Sequence, residues 1–253
     1  MNQKVCILIF VLFISHYLVA QNDTIHANKK VLVQSDLNII ANLTENDSTT
    51  YYNEDVPLTK YLSFELIDQK LYTAKKKKAV SFLIADTLVH KKKNGIITLP
   101  CQMKTVKFVD KPEAEEDIQL YYYIGKINVL NSFLVLGTYW EEYDYKLIDK
   151  ITGEVKLSFL DYPFISGDKK NIICIHANPY ESTADLEFYT IDKNKIKRIM
   201  SACFKNWMPA GEKNDTFWSS DGYLYLPVLH NKAYWSQDGD LNKNFQYVRI
   251  KIK

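Results

Sequence analysis

Two clusters of acidic side chains are the residues of this sequence that could most directly support catalysis. One cluster follows Pro112 and the other lies in a tyrosine-rich stretch, and together they comprise Glu113, Glu115, Glu116, Asp117, Glu141, Glu142 and Asp144. A glycoside hydrolase needs two carboxyl groups, one as a proton donor and one as a nucleophile or base. Polar loops contain the same groups, and no apolar setting in the sequence would raise the pKa of one of them. A hydrolase using Glu141 or Glu142 is therefore the third of three functional hypotheses, with no catalytic residue assigned.

Histidines and alternating oxygen ligands could bind a metal ion at two places. His176 and His230 each follow a predicted strand, so both could face one region of the fold. The segment Asp238–Asn244 has an oxygen-bearing side chain at every second position, as calcium loops do. However, Lys243 and Arg249 occupy the positions at which an EF-hand has its glycine and its bidentate glutamate. No cysteines or histidines have zinc-ligand spacing. We therefore expect strand-end histidines and a polar turn, with no metal and no cofactor.

Three cysteines follow the N-terminal leader, at Cys101, Cys174 and Cys203. An odd number permits at most one internal disulfide, and the pairing stays open. Cys174 lies among isoleucines in the segment 172–175. This setting predicts a small buried apolar residue rather than a reactive thiol.

Aromatic side chains are abundant, with 18 tyrosines and 4 tryptophans. Rings with a polar tip stack on sugar faces and anchor protein interfaces. The candidate ligand-binding residues are Tyr139, Trp140, Trp218 and Trp235. Alternation along strands would instead place such rings in the core or in cross-strand pairs, and this interpretation is favoured over a binding face.

The composition describes a folded globular chain. Of 253 residues, 47% are hydrophobic and 25% are charged, and 32 Lys and Arg against 30 Asp and Glu give a net charge of +2. A chain of this length can bury a full hydrophobic core without metals or disulfides. So small a net charge provides no field to attract nucleic acid, and we expect no nucleic-acid partner.

The N-terminus has the organisation of a secretory signal peptide. Lys4 precedes an uninterrupted apolar run from Val5 to Ile14, and Ala20 supplies the small residue before a predicted cleavage at Gln21. The run is too short to cross a membrane and no second one occurs, so we expect no transmembrane segment in the mature chain. The ending Val-Ala-Gln-Asn resembles the leaders of secreted proteins from Gram-negative bacteria, which predicts a secreted or periplasmic protein.

Three regions are predicted along the chain: a signal peptide over residues 1–20, a polar linker over 21–57 with room for one early strand, and a single β-rich domain over 58–253. One short helix is expected near residues 68–78, with Asp68 as its N-cap and lysines at its C-terminal end. The Asn-Gly pair at residues 94–95 lies between two β-rich runs, and this arrangement predicts a hairpin between those runs.

The second half of the chain contains a loose repeat of strand, connection and strand. Its copies begin near Phe133, Tyr162 and Phe217. A period of about 40–50 residues with several strands per unit is typical of propeller blades.

Two turns of this repeat have related sequences. Residues 164–173 read Phe-Ile-Ser-Gly-Asp-Lys-Lys-Asn-Ile-Ile, and residues 218–226 read Trp-Ser-Ser-Asp-Gly-Tyr-Leu-Tyr-Leu. Both resemble the Ser-Pro-Asp-Gly-Lys turn of the Tol-type periplasmic β-propeller repeats. The resemblance implies a propeller-like fold. Because the chain has 8 Gly and 7 Pro for its turns, we expect a partial or degenerate propeller, with a β-sandwich as the alternative.

These observations predict an exported all-β protein that is built of antiparallel hairpins and one short helix. A non-enzymatic binding or scaffolding role at the bacterial envelope is the first functional hypothesis, with an envelope protein or a glycan as the partner. Glycan binding through surface Tyr and Trp side chains is the second, and hydrolysis is the third.

Overall fold

The structure is a computed structural model and describes residues 30–113, 117–193 and 195–253. Within these residues the protein is all-β, as expected, with 54% of residues in strands, 10% in helices and no sheet closed into a barrel. No helix among them is long and apolar enough to span a membrane. The predicted signal peptide, with its cleavage position at Ala20 and Gln21, lies outside the described residues.

Nineteen strands and one α-helix follow one another in the described part of the chain, with short 3-10 turns between some of them. In chain order they are β1 (Ile39–Glu45), β2 (Ser48–Pro57), β3 (Leu62–Ile67), α1 (Gln69–Lys76), β4 (Ala79–Val80), β5 (Leu83–Ile84), β6 (Ile96–Pro100), β7 (Thr105–Val109), β8 (Leu120–Ile127), β9 (Ser132–Thr138), β10 (Tyr143–Asp149), β11 (Val155–Phe159), β12 (Phe164–Ile165), β13 (Asn171–Asn178), β14 (Thr183–Asp192), β15 (Lys195–Phe204), β16 (Trp207–Pro209), β17 (Phe217–Ser219), β18 (Leu224–His230) and β19 (Gln246–Ile252).

Three antiparallel sheets share one plan, a meander of four strands. Sheet 1 contains β8, β9, β10 and β11, with β5 added beside β8. Sheet 2 contains β12, β13, β14 and β15 and is extended by β1 and β2. Sheet 3 contains β17, β18 and β19 and takes β3 as its fourth strand, with β4 beside β17 and β16 also paired to β18. Because β3 pairs with the last strand, the N- and C-terminal parts of the folded domain are held in one sheet.

The three sheets stack face to face, with sheet 2 in the middle. Along β13, Ile172 and Cys174 pack on sheet 1, whereas Ile173 and Ile175, on the opposite face, pack on sheet 3. A strand that is buried on both faces has a continuous apolar sequence, as β13 does. Burial of both faces of sheet 2 forms the two main cores of the protein and stabilises the stack.

Smaller elements cover the outer faces of the stack. The hairpin β6–β7 places Ile97 and Leu99 on sheet 1. On the other side, α1 places Tyr72 on sheet 3, where it packs against Phe217 and Tyr225. The stack ends at these two elements, and none of the sheets among the described residues closes into a barrel.

The predicted repeat corresponds to the two middle strands of each meander, namely β9–β10, β13–β14 and β18–β19. The turn before the first of these two strands contains a residue with a left-handed backbone in each meander, at Asn131 (φ 47°), Lys169 (φ 62°) and Gly222 (φ 80°). In the second and third turns, this residue donates its backbone N–H to the carbonyl oxygen of Ser166 and Ser219, respectively, at 2.9 and 3.0 Å. The two turns therefore share a conformation as well as a sequence pattern.

Helix α1 begins and ends as its sequence predicts. The Asp68 carboxylate accepts a hydrogen bond from the backbone N–H of Leu71 at 2.7 Å, which caps the N-terminus. Lys75 and Lys76 occupy the last turn, where a positive charge stabilises the helix dipole. Lys75 also forms an ion pair with Asp221 of the β17–β18 turn at 2.7 Å, which helps to hold the helix on sheet 3.

The predicted hairpin at residues 94–95 has the expected turn but a different partner strand. Lys93 and Ile96 exchange both backbone hydrogen bonds, at 2.9 Å each, around Asn94 and Gly95, whose φ angles are 48° and 73°. The strand after the turn, β6, pairs with β7 rather than with residues 80–90. The prediction of that pairing is wrong. The apolar side chains of β7 complete the face of the β6–β7 hairpin that covers sheet 1. The predicted partner region instead forms β4, which pairs with sheet 3, and β5, which pairs with sheet 1.

The predicted linker over residues 21–57 extends too far along the chain. Residues 39–57 form the hairpin β1–β2, and β1 pairs with β15 at the edge of sheet 2. Ile40 and Leu43 are buried, so the early strand belongs to the core and the folded domain begins before residue 58. The polar sequence of this region has a physical reason, because β2 is an exposed edge strand.

Candidate functional site

A cleft of about 830 Å³ lies at one end of the sheet stack, where segments from all three sheets meet. Its walls come from the β9–β10 loop, the β11–β12 connection, the end of β13 and the segment after β16. Connections at the end of a rigid scaffold are common places for binding residues. The polar and charged lining includes Glu141, Tyr143, Asp161, His176, Lys213 and Tyr234.

Tyr143 connects Asp161 and His176 in the lining of the cleft. Its hydroxyl oxygen lies 2.8 Å from Oδ2 of Asp161 and 2.8 Å from Nδ1 of His176. A hydroxyl has one proton, and an ionised carboxylate can only accept. Tyr143 therefore donates to Asp161, and His176 donates from Nδ1 to the Tyr143 oxygen. This hydrogen-bond accounting assigns the Nδ1–H tautomer to a neutral His176, and its Nε2 then serves as an acceptor.

The three side chains of this hydrogen-bond chain come from separate strands. Tyr143 is the first residue of β10, Asp161 follows β11, and His176 lies near the end of β13. Sheets 1 and 2 must be stacked before the three groups can meet. Burial and the neighbouring Asp161 carboxylate raise the pKa of Tyr143 well above its ordinary value, so this hydroxyl keeps its proton at neutral pH.

Lys213 places an ammonium group against two tyrosine rings. Its Nζ lies 3.9 Å from the ring centroid of Tyr162 and 5.6 Å from that of Tyr145. Aromatic faces attract a cation, but they also replace part of its water. Desolvation lowers the pKa of Lys213 to about 8, although the residue as a whole is exposed, and the Asp161 carboxylate acts in the opposite direction. Lys213 has no ion-pair partner in the part of the chain that the structure describes.

Carboxylates outnumber cations in the described lining of the cleft. The acidic residues are Glu141, Glu142, Asp161, Asp185 and Glu212, whereas Lys213 is the only Lys or Arg among the described lining residues. Carboxylate oxygens accept hydrogen bonds from hydroxyl groups, and tyrosine rings stack on the apolar faces of sugars. The cleft thus combines the two kinds of group that bind a polyhydroxylated ligand.

The structure places the four predicted aromatic residues in different environments. Trp140 and Trp235 are 65% and 53% exposed, and each adjoins in sequence a residue that lines the cleft. Tyr139 is half-buried and precedes Trp140 in the β9–β10 loop. Trp218 is only 2% exposed and donates its indole N–H to the carbonyl of Phe164 at 2.9 Å. Trp218 is therefore a core residue rather than part of an exposed binding face.

The two acidic clusters of the sequence have different positions. Glu141 and Glu142 line the cleft, and both are exposed on the β9–β10 loop. Of the first cluster, Glu115 and Glu116 lie outside the described residues, and Glu113 and Asp117 do not line the cleft. Exposed carboxylates lack the apolar surroundings that tune a catalytic proton donor.

The two histidines are separated by the fold. His176 lines the cleft, whereas His230 is buried at the end of β18, where its Nδ1 accepts a hydrogen bond from the backbone N–H of Lys232 at 3.1 Å. No three His, Cys, Asp or Glu side chains of the described residues are grouped so that they could hold a metal ion. The segment Asp238–Asn244 forms a turn in which Gly239 has a φ of 83°.

Among the described residues, the cysteines Cys101, Cys174 and Cys203 are free thiols. Cys174 is fully buried between sheets 1 and 2, as its apolar sequence setting predicts. Burial raises the pKa of Cys174 well above its ordinary value, which suppresses the reactive thiolate.

Three important residues of the cleft were not identified from the sequence. Tyr143 lies in the tyrosine-rich stretch beside Glu142, which was a weak signal for its position. Asp161 and Lys213 belong to polar connections, and nothing in their local sequence indicates that they approach His176 or the tyrosine rings. Only the stacking of the sheets brings these groups together.

Comparisons with protein-family models, with curated proteins and with solved structures found no match to this chain. The candidate site rests on the residues and distances described above.

Proposed function

We propose that the chain is an exported binding module of the bacterial envelope and that its ligand occupies the cleft between the ends of the three sheets. The signal-peptide pattern of the N-terminal residues supports export. The observation that carries the proposal is the convergence of Tyr143, Asp161, His176 and Lys213, from four separate segments, on one cleft of about 830 Å³. This volume lies in the range of sites for small organic ligands or a few residues of a polymer.

A glycan is the ligand class that the lining favours. Sugars present hydroxyl donors to carboxylates and an apolar ring face to aromatic side chains. The cleft offers exposed carboxylates on Glu141, Glu142 and Glu212. Tyr180, which lines the cleft, is 94% exposed. Together with Trp140 and Trp235 it gives three exposed rings, from three different loops, at or beside the cleft.

An envelope protein is the second candidate partner. Exposed Trp and Tyr side chains also anchor protein interfaces, because they bury a large area at a small cost in side-chain entropy. Hydrolysis is the third candidate, and it would use an acidic pair that includes Glu141 or Glu142. Both carboxylates are exposed, so the structure favours ligand contact by these residues over proton donation.

A pull-down from envelope extract tests the proposal. The bait is the mature chain, residues 21–253, and the bound material is analysed for both carbohydrate and protein. The cleft variant carries Trp140→Ala and Tyr180→Ala. The control variant carries Tyr51→Ala, which removes a ring that is 76% exposed on the edge strand β2.

We expect carbohydrate on the wild-type and Tyr51→Ala baits and a clear loss on the cleft variant. Equal carbohydrate on all three baits would place the glycan site elsewhere and contradict the proposal. Recovery of one saturable protein partner without carbohydrate would replace the glycan by the second candidate. Loss of a measured hydrolysis on Glu141→Gln replacement would support the third.

A further inference from the structure

A second cavity, of about 380 Å³, lies beside the cleft and has a different chemical character. It is formed where the first strands of the three meanders, β8, β12 and β17, approach the segment 79–85 that links sheet 3 to sheet 1. Its walls are mainly aliphatic and aromatic and include Phe82, Leu83, Ile124, Ile127, Ile165 and Trp218. Such a lining excludes strongly hydrated ligands and favours an apolar chain.

One charged side chain, Lys213, lines this cavity among the described residues. Lys213 and Tyr162 line both the cavity and the cleft, so the ammonium group lies where the two spaces meet. The uncharged polar residues of the wall are Ser81, Tyr162, Asn214 and Thr216. An apolar space with one cation at its boundary is complementary to an amphiphile with one negative charge.

The surroundings of Lys213 support an anionic partner over a neutral one. Its ammonium contacts the rings of Tyr162 and Tyr145 and forms no ion pair within the described chain, although the nearby Asp161 carboxylate acts to raise its pKa. Desolvation lowers the pKa of Lys213 to about 8. A bound anion would compensate this cost, because an opposite charge within a few ångströms favours the protonated amine.

We propose that this cavity is a binding site for an amphiphilic monocarboxylate, such as a medium-chain fatty acid, with the hydrocarbon chain in the cavity and the carboxylate at the Lys213 ammonium. This site adjoins the glycan cleft and shares Lys213 and Tyr162 with it, but neither ligand has to bind for the other to bind. Trp218 forms part of the wall, and its ring is held in place by the hydrogen bond from its indole N–H to the Phe164 carbonyl.

Three ligands that differ only in the head group test the proposal. Decanoate, decanol and decyltrimethylammonium are titrated into the mature chain below the concentration at which each forms micelles, and binding is followed by displacement of anilinonaphthalene sulfonate and by calorimetry. We expect decanoate to bind most tightly, decanol to bind more weakly and the cation to bind weakest, because only decanoate pairs with Lys213.

Variants of the wall separate the head group from the chain. Lys213→Met keeps an unbranched side chain without the charge, and it should weaken decanoate binding by about tenfold or more while leaving decanol unchanged. Lys213→Arg should retain most of the decanoate affinity. Ile124→Trp fills the cavity and should weaken both ligands. Lys232→Met is the control for removal of an exposed lysine outside the cavity.

The pH profile gives an independent readout. Lys213 is protonated below its pKa of about 8, so decanoate affinity should be constant near neutral pH and should fall as the pH rises above 8. The Lys213→Met variant should lack this decrease. Thermal unfolding of each variant without ligand shows that a change in affinity does not come from loss of the fold.

Several outcomes would overturn the proposal. These are the absence of decanoate binding, equal affinity for the three ligands, or an unchanged decanoate affinity in Lys213→Met. Lys169 is a second lysine near the cavity, and its ammonium lies 5.4 Å from the ring centroid of Phe82. Loss of decanoate binding in Lys169→Met, with no loss in Lys213→Met, would assign the head group to Lys169. Carbohydrate binding by the cleft is measured in its own assay, with variants at Trp140 and Tyr180 that do not line the cavity, so the two proposals fail separately.

Discussion

Replacing Tyr143 with phenylalanine removes a hydroxyl that links sheets 1 and 2 through polar groups in the cleft. The change breaks two hydrogen bonds of 2.8 Å, one to Asp161 and one from His176. A hydrogen bond to a charged group contributes about 1.5–3 kcal/mol when it is buried. The side chains of His176 and Asp161 are 24% and 22% exposed and Tyr143 is 36% exposed, so water replaces much of the lost interaction, and we expect a decrease of about 0.5–1.5 kcal/mol in the free energy of unfolding.

The assay is urea unfolding of a protein that comprises residues 21–253, followed by circular dichroism and tryptophan fluorescence. Tyr51→Phe is the control, because Tyr51 is a highly exposed tyrosine outside the cleft. A double-mutant cycle with His176→Ala should give a coupling energy of about 1 kcal/mol between the two positions. Unfolding of Tyr143→Phe at the same urea concentration as the control, with no coupling to His176, would refute the hydrogen-bond chain.

Three further predictions concern the scaffold. Gly125→Ala should lower the free energy of unfolding by about 2 kcal/mol or more, because Gly125 has a φ of 148° and an added Cβ would collide with the carbonyl of Ile84. Gly167→Ala is the control, since nothing lies near the added atom, and it should be close to neutral in the same urea assay. Asp68→Ala should cost about 1 kcal/mol and Asp68→Asn much less, as thermal unfolding would show, because the amide oxygen still caps α1. Cys174 should react with a thiol reagent only at the rate of unfolding, since it is fully buried and burial raises its pKa. Rapid labelling of Cys174 in the native protein would contradict the packing of sheet 2 between sheets 1 and 3.

The local structure was largely predictable from the sequence. Alternating and continuous apolar runs predict the strands, the N-cap at Asp68 predicts the start of α1, and the related turns at Ser166 and Ser219 predict the repeat of the meander. These signals act within a few residues, so they do not depend on the rest of the fold.

The pairing between distant elements could not be predicted in the same way. The strand after Asn94-Gly95 pairs with the following strand, β7, and the polar region 39–57 supplies two strands to sheet 2. Neither pairing could be predicted, because both depend on which apolar faces remain uncovered after the sheets stack. For the same reason, the sequence indicated Glu141, Glu142 and His176 separately but not their meeting with Tyr143, Asp161 and Lys213. Strand alternation favoured the core for the candidate aromatic residues in general, but it did not distinguish the buried Trp218 from the exposed Trp140 and Trp235.

The most direct test of the account is a calorimetric titration of a protein that comprises residues 21–253 with soluble peptidoglycan fragments and with neutral oligosaccharides. The account predicts saturable binding of at least one of these glycans. Binding should be about tenfold weaker in the variant with Trp140→Ala and Tyr180→Ala, because two stacking aromatic rings are lost, and it should be unchanged in Tyr51→Ala. Binding that is equally strong in all three proteins, or no binding of any glycan, would contradict the assignment of the cleft as a glycan site.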